Sequence, residues 1–251
     1  MTDGGTRTLR DPALARTLVA DACRLYRRYP LLFLALALGV VVPYDLVVLL
    51  AIGLGPLAKS SELGLSLPLE VFLISPLISA LHIQAVAEIR AGRTPRLGDI
   101  AARGVRVLPT AAATAVMTTL GITLGFVALI VPGILLTFRW YVAVQAAAIE
   151  HEGWLGAIRR SRVLTRGVYG HLFAFGVLIA IIAELPLRVA TAGVTGQDTL
   201  AAAFIGGVLL HAFALAFTAL ATALLYFDLV ARQGTWSPGA ELGNVGPEDA
   251  R

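Results

Sequence analysis

Four ionisable residues stand inside or at the edge of long apolar stretches, and they are the residues best suited to chemistry. They are Asp45, Glu70, Arg139 and Glu184. A charge in an apolar stretch of this kind is costly unless it is paired or hydrated. At about 1.5 Å per helical residue, Asp45 lies about 14 Å and Arg139 about 9 Å from the ends of their stretches. We therefore expect these two side chains to be able to meet, with Glu70 and Glu184 nearby.

Three interpretations of this cluster stay open. Asp45 and Arg139 form an ion pair that locks two helices together, helped by kinks at Pro43 and Pro132. Alternatively, Arg139 binds an anion such as a lipid phosphate, because the guanidinium fork matches phosphate oxygens. In the third interpretation, the long side chain of Arg139 extends its charge to a polar surface. All four ionisable residues are candidates for binding a ligand or lipid.

Signatures of a chemical reaction are absent from the sequence. It contains no His-Glu-x-x-His, no Gly-x-Ser-x-Gly, no phosphate-binding glycine loop and no kinase set. Because Cys23 is the single cysteine, an intrachain disulfide and a thiolate metal site are excluded. The histidines are scattered, and we interpret each as a packing or interface residue: His82, His151, His171 and His211. We predict a protein without catalytic activity, cofactor or bound metal.

The elements that hold these residues are long apolar segments. Hydrophobic residues make up 57% of the chain and charged residues 14%, whereas soluble domains average about 25% charged residues. A membrane span needs about 20 apolar residues. The sequence therefore predicts an all-α integral membrane protein with six transmembrane helices. The predicted spans are 31–54, 68–89, 109–131, 133–150, 169–190 and 200–229.

The arginines predict the orientation of these spans. They crowd the region before the first span and the connections 90–108 and 155–166, whereas the opposite connections hold only Lys59 and Arg188. Basic connections stay on the cytoplasmic side, so we predict a multi-pass cell-membrane protein with both termini cytoplasmic. The first apolar run is longer than a signal-peptide core of about 7 to 15 residues, which predicts an uncleaved span. Nucleic acid is not an expected partner.

Three basic segments show helical periodicity, with apolar residues on one face and arginines on the others. They are 12–29, 97–108 and 154–164. Such segments favour amphipathic helices lying at the cytoplasmic membrane surface. The predicted domains are a tail with a basic amphipathic helix at 1–29, a six-span membrane domain at 30–232 and a flexible C-terminal tail at 233–251.

The segments suggest one unit repeated three times: a basic helix, an outward span, a short turn, an inward span, then an acid and a glycine. The closing pairs are Glu88 with Gly92, Glu150 with Gly153, and Asp228 with Gly234. An acid near a helix C-terminus opposes the helix dipole. We therefore expect each acid to pair with arginines of an adjacent basic helix, Glu88 with the segment 103–106. Alternatively, the acids are hydrated and the pattern is general to six-span proteins.

The spacing Gly121-x-x-x-Gly125 lies in the predicted third span. Small residues four apart let helix backbones approach closely in lipid. We predict that this pair packs against another helix of the same chain, with dimerisation as the alternative.

Three motifs resemble those of a known family: 131–140 (VPGILLTFRW), 157–167 (AIRRSRVLTRG) and 225–229 (LYFDL). They are similar to the membrane domain attached to some bacterial glycerophosphoryl diester phosphodiesterases and to related six-helix proteins. The matching positions are Pro132, Gly133, Ser161, Thr165, Gly167, Tyr226 and Asp228. The family often continues the third motif with arginine, whereas here Arg232 comes later. The resemblance implies a six-helix membrane fold, and because no phosphodiesterase metal-site pattern is present, we expect no hydrolase activity.

These observations predict a membrane protein that organises lipid or partner proteins. Basic helices attract anionic headgroups at the cytoplasmic face, and a membrane or cytoplasmic protein is a further possible partner. The alternative is a transporter or permease for a small or amphiphilic solute, as proline-broken spans with buried charge suggest. A water-accessible cavity reaching Arg139 would favour transport or lipid binding, and dry packing a structural role.

Overall fold

The computed structural model describes residues 13–53, 66–150, 152–186, 189 and 200–233. Helix accounts for 91% of these residues and no strand occurs among them, which confirms the all-α fold class. Residues 1–12, the first outer connection, most of 187–199 and the predicted flexible tail from Gly234 onward lie outside the described residues.

The described chain is a succession of helices with two π-helical turns. They are α1 (Ala13–Arg28), α2 (Pro30–Gly53), α3 (Ser66–Leu69), π1 (Glu70–Ile74), α4 (Ser75–Arg90), α5 (Leu97–Ala128), α6 (Ile130–Arg139), α7 (Ala143–Glu150), α8 (Gly153–Leu164), α9 (Tyr169–Ile179), π2 (Ala180–Glu184) and α10 (Leu200–Arg232). Five segments among the described residues are long and apolar enough to cross a membrane. A sixth candidate is the pair formed by α8 and the α9–π2 segment, which are bent by 105° relative to each other.

Helices α4 and α10 form the centre of the fold. Of their most apolar windows, 72% and 61% are buried, compared with 28 to 33% for α2, α5 and the α6–α7 segment. Small side chains allow α10 to lie close to α2 and α4. Its buried alanines include Ala212, Ala214, Ala216, Ala219, Ala221 and Ala223. The peripheral helices instead expose apolar side chains, among them Leu31, Val127, Leu129, Ile130 and Val131.

The predicted fourth span is not one helix. Helix α6 ends at Arg139, a turn occupies residues 140–142, and α7 begins at Ala143. The reversal after α5 lies at Leu129, whose backbone is extended, rather than at Pro132 and Gly133. Pro132 sits in the first turn of α6, where the missing N–H costs no helical hydrogen bond.

The second basic segment does not form the separate surface helix that the sequence predicts. Residues 97–108 and the following apolar residues form the single helix α5, with Pro109 inside it. The chain turns where glycines adopt positive φ, at Gly92 (72°), Gly153 (71°) and Gly167 (83°), and no such glycine separates the two halves of α5. The other two basic segments, α1 and α8, are distinct helices.

Glycines bring α5 and α6 together. A Cβ on Gly125 would lie 3.0 Å from Cα of Gly133, and one on Gly121 would lie 2.4 Å from the Trp140 ring. A Cβ on Gly133 would meet the Phe126 ring at 2.4 Å. The predicted use of the glycine pair for packing within the chain is therefore confirmed.

Candidate functional site

The first acid of the predicted repeat is paired as expected. Glu88, buried at the end of α4, lies 2.6 Å from Nε of Arg93 and 2.6 Å from Nη2 of Arg103 on α5. The hydrogen bond donated by Arg93 raises the pKa of its guanidinium above the ordinary value. The two arginines neutralise an acid that would otherwise oppose the dipole of α4.

The second acid, Glu150 at the end of α7, connects two of the sequence motifs. Nε of Arg160 on α8 donates to its Oε1 at 2.7 Å, and the buried Tyr226 hydroxyl donates to the same atom at 2.6 Å. Gln233, after α10, donates through Nε2 to the carbonyl of Val163 at 3.1 Å. These bonds tie α7, α8 and α10 together at one end, which we call the arginine-rich end.

The third acid departs from the prediction. Asp228 pairs with Arg232 of its own helix at 2.6 Å, one helical turn away, rather than with an adjacent basic helix. Beside it, the Arg90 guanidinium lies 5.1 Å from the centre of the Phe227 ring. Gly234, the predicted closing glycine, lies outside the described residues.

The break between α6 and α7 is held by the second motif. The carbonyl of Arg139 accepts hydrogen bonds from Ser161 Oγ at 3.1 Å and from Thr165 Oγ1 at 3.2 Å. The N–H of Val142 donates to Ser161 Oγ at 3.3 Å. Ser161 and Thr165 are fully buried, so they satisfy backbone groups that the interrupted helix leaves without partners. Gly167 then turns the chain from α8 into α9.

Asp45 contacts a histidine instead of Arg139. Both carboxylate oxygens of Asp45 lie 3.2 Å from Nδ1 of His211 on α10. The side chain of Arg139 is exposed and forms no ion pair with any carboxylate that the structure describes. The Asp45–Arg139 lock is therefore not present, and the interpretation of His211 as a packing residue is replaced by one in which it pairs with acids.

Glu70 joins this cluster from a third helix. Its Oε1 lies 3.6 Å from Nε2 of His211, and the Tyr44 hydroxyl donates to Oε2 at 3.5 Å. With a carboxylate facing each ring nitrogen, His211 is placed to act as an imidazolium that donates on both sides. With all three groups ionised, two carboxylates and one imidazolium carry a net charge of −1. We call Asp45, Glu70, His211 and Tyr44 the carboxylate–histidine cluster.

Glu184, the fourth candidate, ends π2. Its side chain lies outside the described part of the structure, so its part in the cluster stays a prediction. Glu70 begins π1, and π-helical turns interrupt helices frequently at functional sites.

A cavity of about 370 Å³ lies between π1, α4, α5, the α6–α7 break and α10. Its wall includes Thr137, Trp140 and Tyr141, which flank Arg139 in sequence, but Arg139 itself is not part of the lining. Other lining residues include Ser75, Ser79, Thr118, Gln145, Thr218 and Thr222. Sequence reasoning missed Trp140 and Gln145, because each reads as one more residue of an uninterrupted span.

The chain was compared with family models, curated proteins and solved structures, and none of them matches it. The interpretation of the site therefore depends on the geometry described above.

Proposed function

We propose that this chain is an integral membrane protein that organises anionic lipid at its arginine-rich end and catalyses no reaction. The proposed spans are α2, π1 with α4, α5, α6 with α7, α9 with π2, and α10, with the arginine-rich end in the cytoplasm. The exposed apolar residues of the peripheral helices support insertion, because a contiguous apolar surface is stable in lipid and unfavourable in water.

A surplus of exposed arginines carries the lipid proposal. Glu88 and Glu150 form ion pairs with Arg93, Arg103 and Arg160, and these pairs leave one positive charge in excess. Further arginines on or beside α5 and α8 are exposed and have no carboxylate partner among the described residues: Arg96, Arg106, Arg159, Arg162 and Arg166. Each arginine near an anionic leaflet contributes about 1 kcal/mol of attraction, so these arginines favour headgroups of net negative charge over zwitterionic ones.

Lipid retention tests this proposal. Nanodiscs with equal amounts of phosphatidylglycerol and phosphatidylcholine are formed around the wild type, around Arg159→Gln/Arg162→Gln/Arg166→Gln, and around the matched triple lysine variant. We expect native mass spectrometry to show phosphatidylglycerol enrichment for the wild type and the lysine variant, and a several-fold loss for the glutamine variant. Equal retention by all three proteins would refute the proposal.

Arg139 is tested separately, because it lies at the helix break and not among these arginines. If its guanidinium holds one lipid phosphate, Arg139→Gln reduces retained phosphatidylglycerol, and Arg139→Lys restores it only in part, because lysine lacks the bidentate fork. Unchanged retention in Arg139→Gln would remove Arg139 as a headgroup ligand.

A proton-coupled transporter for a small solute is the second candidate. The carboxylate–histidine cluster favours it, because ionisable residues within apolar helices frequently mark proton relays in transporters. The cluster lies next to π1, and discontinuous helices are typical of transporter sites. In proteoliposomes loaded with a pH-sensitive dye, an imposed pH gradient should decay faster with the wild type than with Asp45→Asn. Equal decay would argue against proton passage through this cluster.

A further inference from the structure

We infer that the cavity between α4, the α6–α7 break and α10 binds an uncharged small molecule that carries several hydroxyl or amide groups. This inference concerns a different part of the molecule from the arginine-rich end, and it does not depend on lipid binding there. It rests on the size of the cavity, the chemistry of its wall and buried polar atoms of its lining residues that lack partners among the described residues.

The size and charge of the cavity define the class of ligand. Its volume of about 370 Å³ falls in the range of about 300–1,000 Å³ that small-molecule sites occupy. All of its described lining residues are uncharged. Burying an ion against such a wall would leave its charge uncompensated, so a neutral ligand is favoured.

The wall is rich in hydrogen-bonding groups for a cavity among apolar helices. Residues on several helices supply hydroxyl, amide and indole groups, among them Ser75, Thr119, Trp140, Tyr141, Gln145 and Thr218. Apolar side chains such as Val71, Ile122 and Leu215 complete the lining. A ligand with hydroxyl or amide groups and a short apolar portion matches this mixture.

Three of the lining residues each carry a buried polar atom that has no partner among the described residues. Gln145, 5% exposed, donates through Nε2 to Ser79 Oγ at 2.9 Å, while its Oε1 accepts nothing. Trp140 Nε1 and Thr218 Oγ1 are also buried without a partner. Buried polar groups normally find partners. Rotation of these side chains toward the cavity would let a ligand that both accepts and donates partner them, as hydroxyls and amides do, because the indole only donates and Gln145 Oε1 only accepts.

Helix α4 lines the cavity with both exposed and buried residues. Ser75 is exposed, whereas Ser79, one turn further along the same side of the helix, is buried and bonded to Gln145. The cavity lining thus extends from the surface of α4 to its buried part. A free solute and the neutral headgroup of a lipid such as a monoacylglycerol share the required chemistry.

Tryptophan fluorescence tests the site. Replacing the other two tryptophans, as Trp154→Phe and Trp236→Phe, leaves Trp140 as the reporter in the full chain. Glycerol, N-methylacetamide and a short-chain monoacylglycerol are titrated, with glycerol 3-phosphate as the charged counterpart. We expect a saturable change in Trp140 emission with at least one uncharged probe, and binding at least tenfold weaker for the charged one. Response to the monoacylglycerol alone identifies a lipid headgroup, and response to the small probes identifies a free solute.

Variants separate binding from nonspecific quenching. Gln145→Leu and Thr218→Val each remove one unpartnered polar atom, so each should weaken the saturable response at least tenfold, about 1.4 kcal/mol. Thr218→Val should not lower the melting temperature of the ligand-free protein, because the hydroxyl that it removes has no partner among the described residues. Gln145→Leu also loses the bond to Ser79, so a small decrease is expected for that variant. Thr114→Val is the control, since Thr114 is buried outside the lining and donates to Thr110 within its own helix. A response that is linear with every probe, or that all three variants leave unchanged, would overturn the inference.

Discussion

At the scale of single residues, His211 determines how the interior acids are accommodated. It stands between Asp45 and Glu70 on two other helices, at 3.2 and 3.6 Å. A carboxylate in an apolar segment needs a cationic or donating partner. Among the described residues, His211 is the partner of Asp45, whereas Arg139 is exposed at the helix break.

Removing the imidazole should therefore destabilise the fold. In His211→Leu the two carboxylates keep their positions but lose the group between them. We expect the free energy of unfolding to fall by about 2 kcal/mol, below the roughly 3–5 kcal/mol of a fully buried pair, because the cluster is partly exposed. Unfolding in mixed detergent micelles measures this loss. Asp45→Asn should recover part of it in the double variant, and strictly additive effects would contradict the pairing.

A second prediction at this scale concerns the hydrogen bond from Tyr226 to Glu150. Its buried hydroxyl donates to Glu150 at 2.6 Å, so Tyr226→Phe leaves a charged acceptor with one partner fewer. Hydrogen bonds to charged groups contribute about 1.5–3 kcal/mol, and a decrease of that size is expected in the same unfolding measurement. Tyr169→Phe is the matched control, because the hydroxyl of Tyr169 has no partner among the described residues. Equal effects of the two substitutions would argue against a specific bond.

At the scale of elements, the α6–α7 break shows how one basic helix supports an interrupted span. Helix α8 meets α9 at 105°, and its buried Ser161 and Thr165 reach the backbone of the break. Apolar length predicts a single helix here, since nothing in residues 133–150 marks a stop. The break is stable because hydroxyls from another element replace the hydrogen bonds that it interrupts.

The double variant Ser161→Ala/Thr165→Val should weaken this junction. It leaves the Arg139 carbonyl and the Val142 N–H without side-chain partners, and each buried unsatisfied group costs about 1–3 kcal/mol. Thr114→Val is the control, because its hydroxyl bonds only a carbonyl of its own helix. Detergent unfolding should show a clearly larger loss for the double variant. Losses no larger than that of Thr114→Val would mean that the break does not need these hydroxyls.

At the scale of the whole molecule, the buried acids and exposed arginines gather at one end. Glu150 is linked to α8 and α10 there, and Glu88 to the start of α5. The exposed arginines around them are the surface that the proposed orientation places in the cytoplasm. The central helices α4 and α10 meet at the same end through Arg90 and Phe227.

Cysteine labelling tests this orientation. In a Cys23→Ser background, a membrane-impermeant maleimide should label Arg96→Cys and Arg162→Cys only in inside-out vesicles. Lys59→Cys, in the predicted outer connection, should react only in right-side-out vesicles. Labelling of the two arginine positions from opposite sides would contradict the proposed topology, whereas labelling of all three from one side would contradict the assignment of the outer connection.

The sequence by itself determined the all-α class and the apolar segments, and it predicted arginine partners for Glu88 and Glu150. Those features follow from local periodicity and from charges on consecutive elements. Only the tertiary structure decided that Asp45 meets His211, 166 residues away, and that a cavity with hydrogen-bonding side chains in its wall forms beside Trp140. It also decided where the fourth span breaks. These features depend on which helices are neighbours and how each is rotated about its axis, and apolar helices of similar composition leave both choices open until they pack.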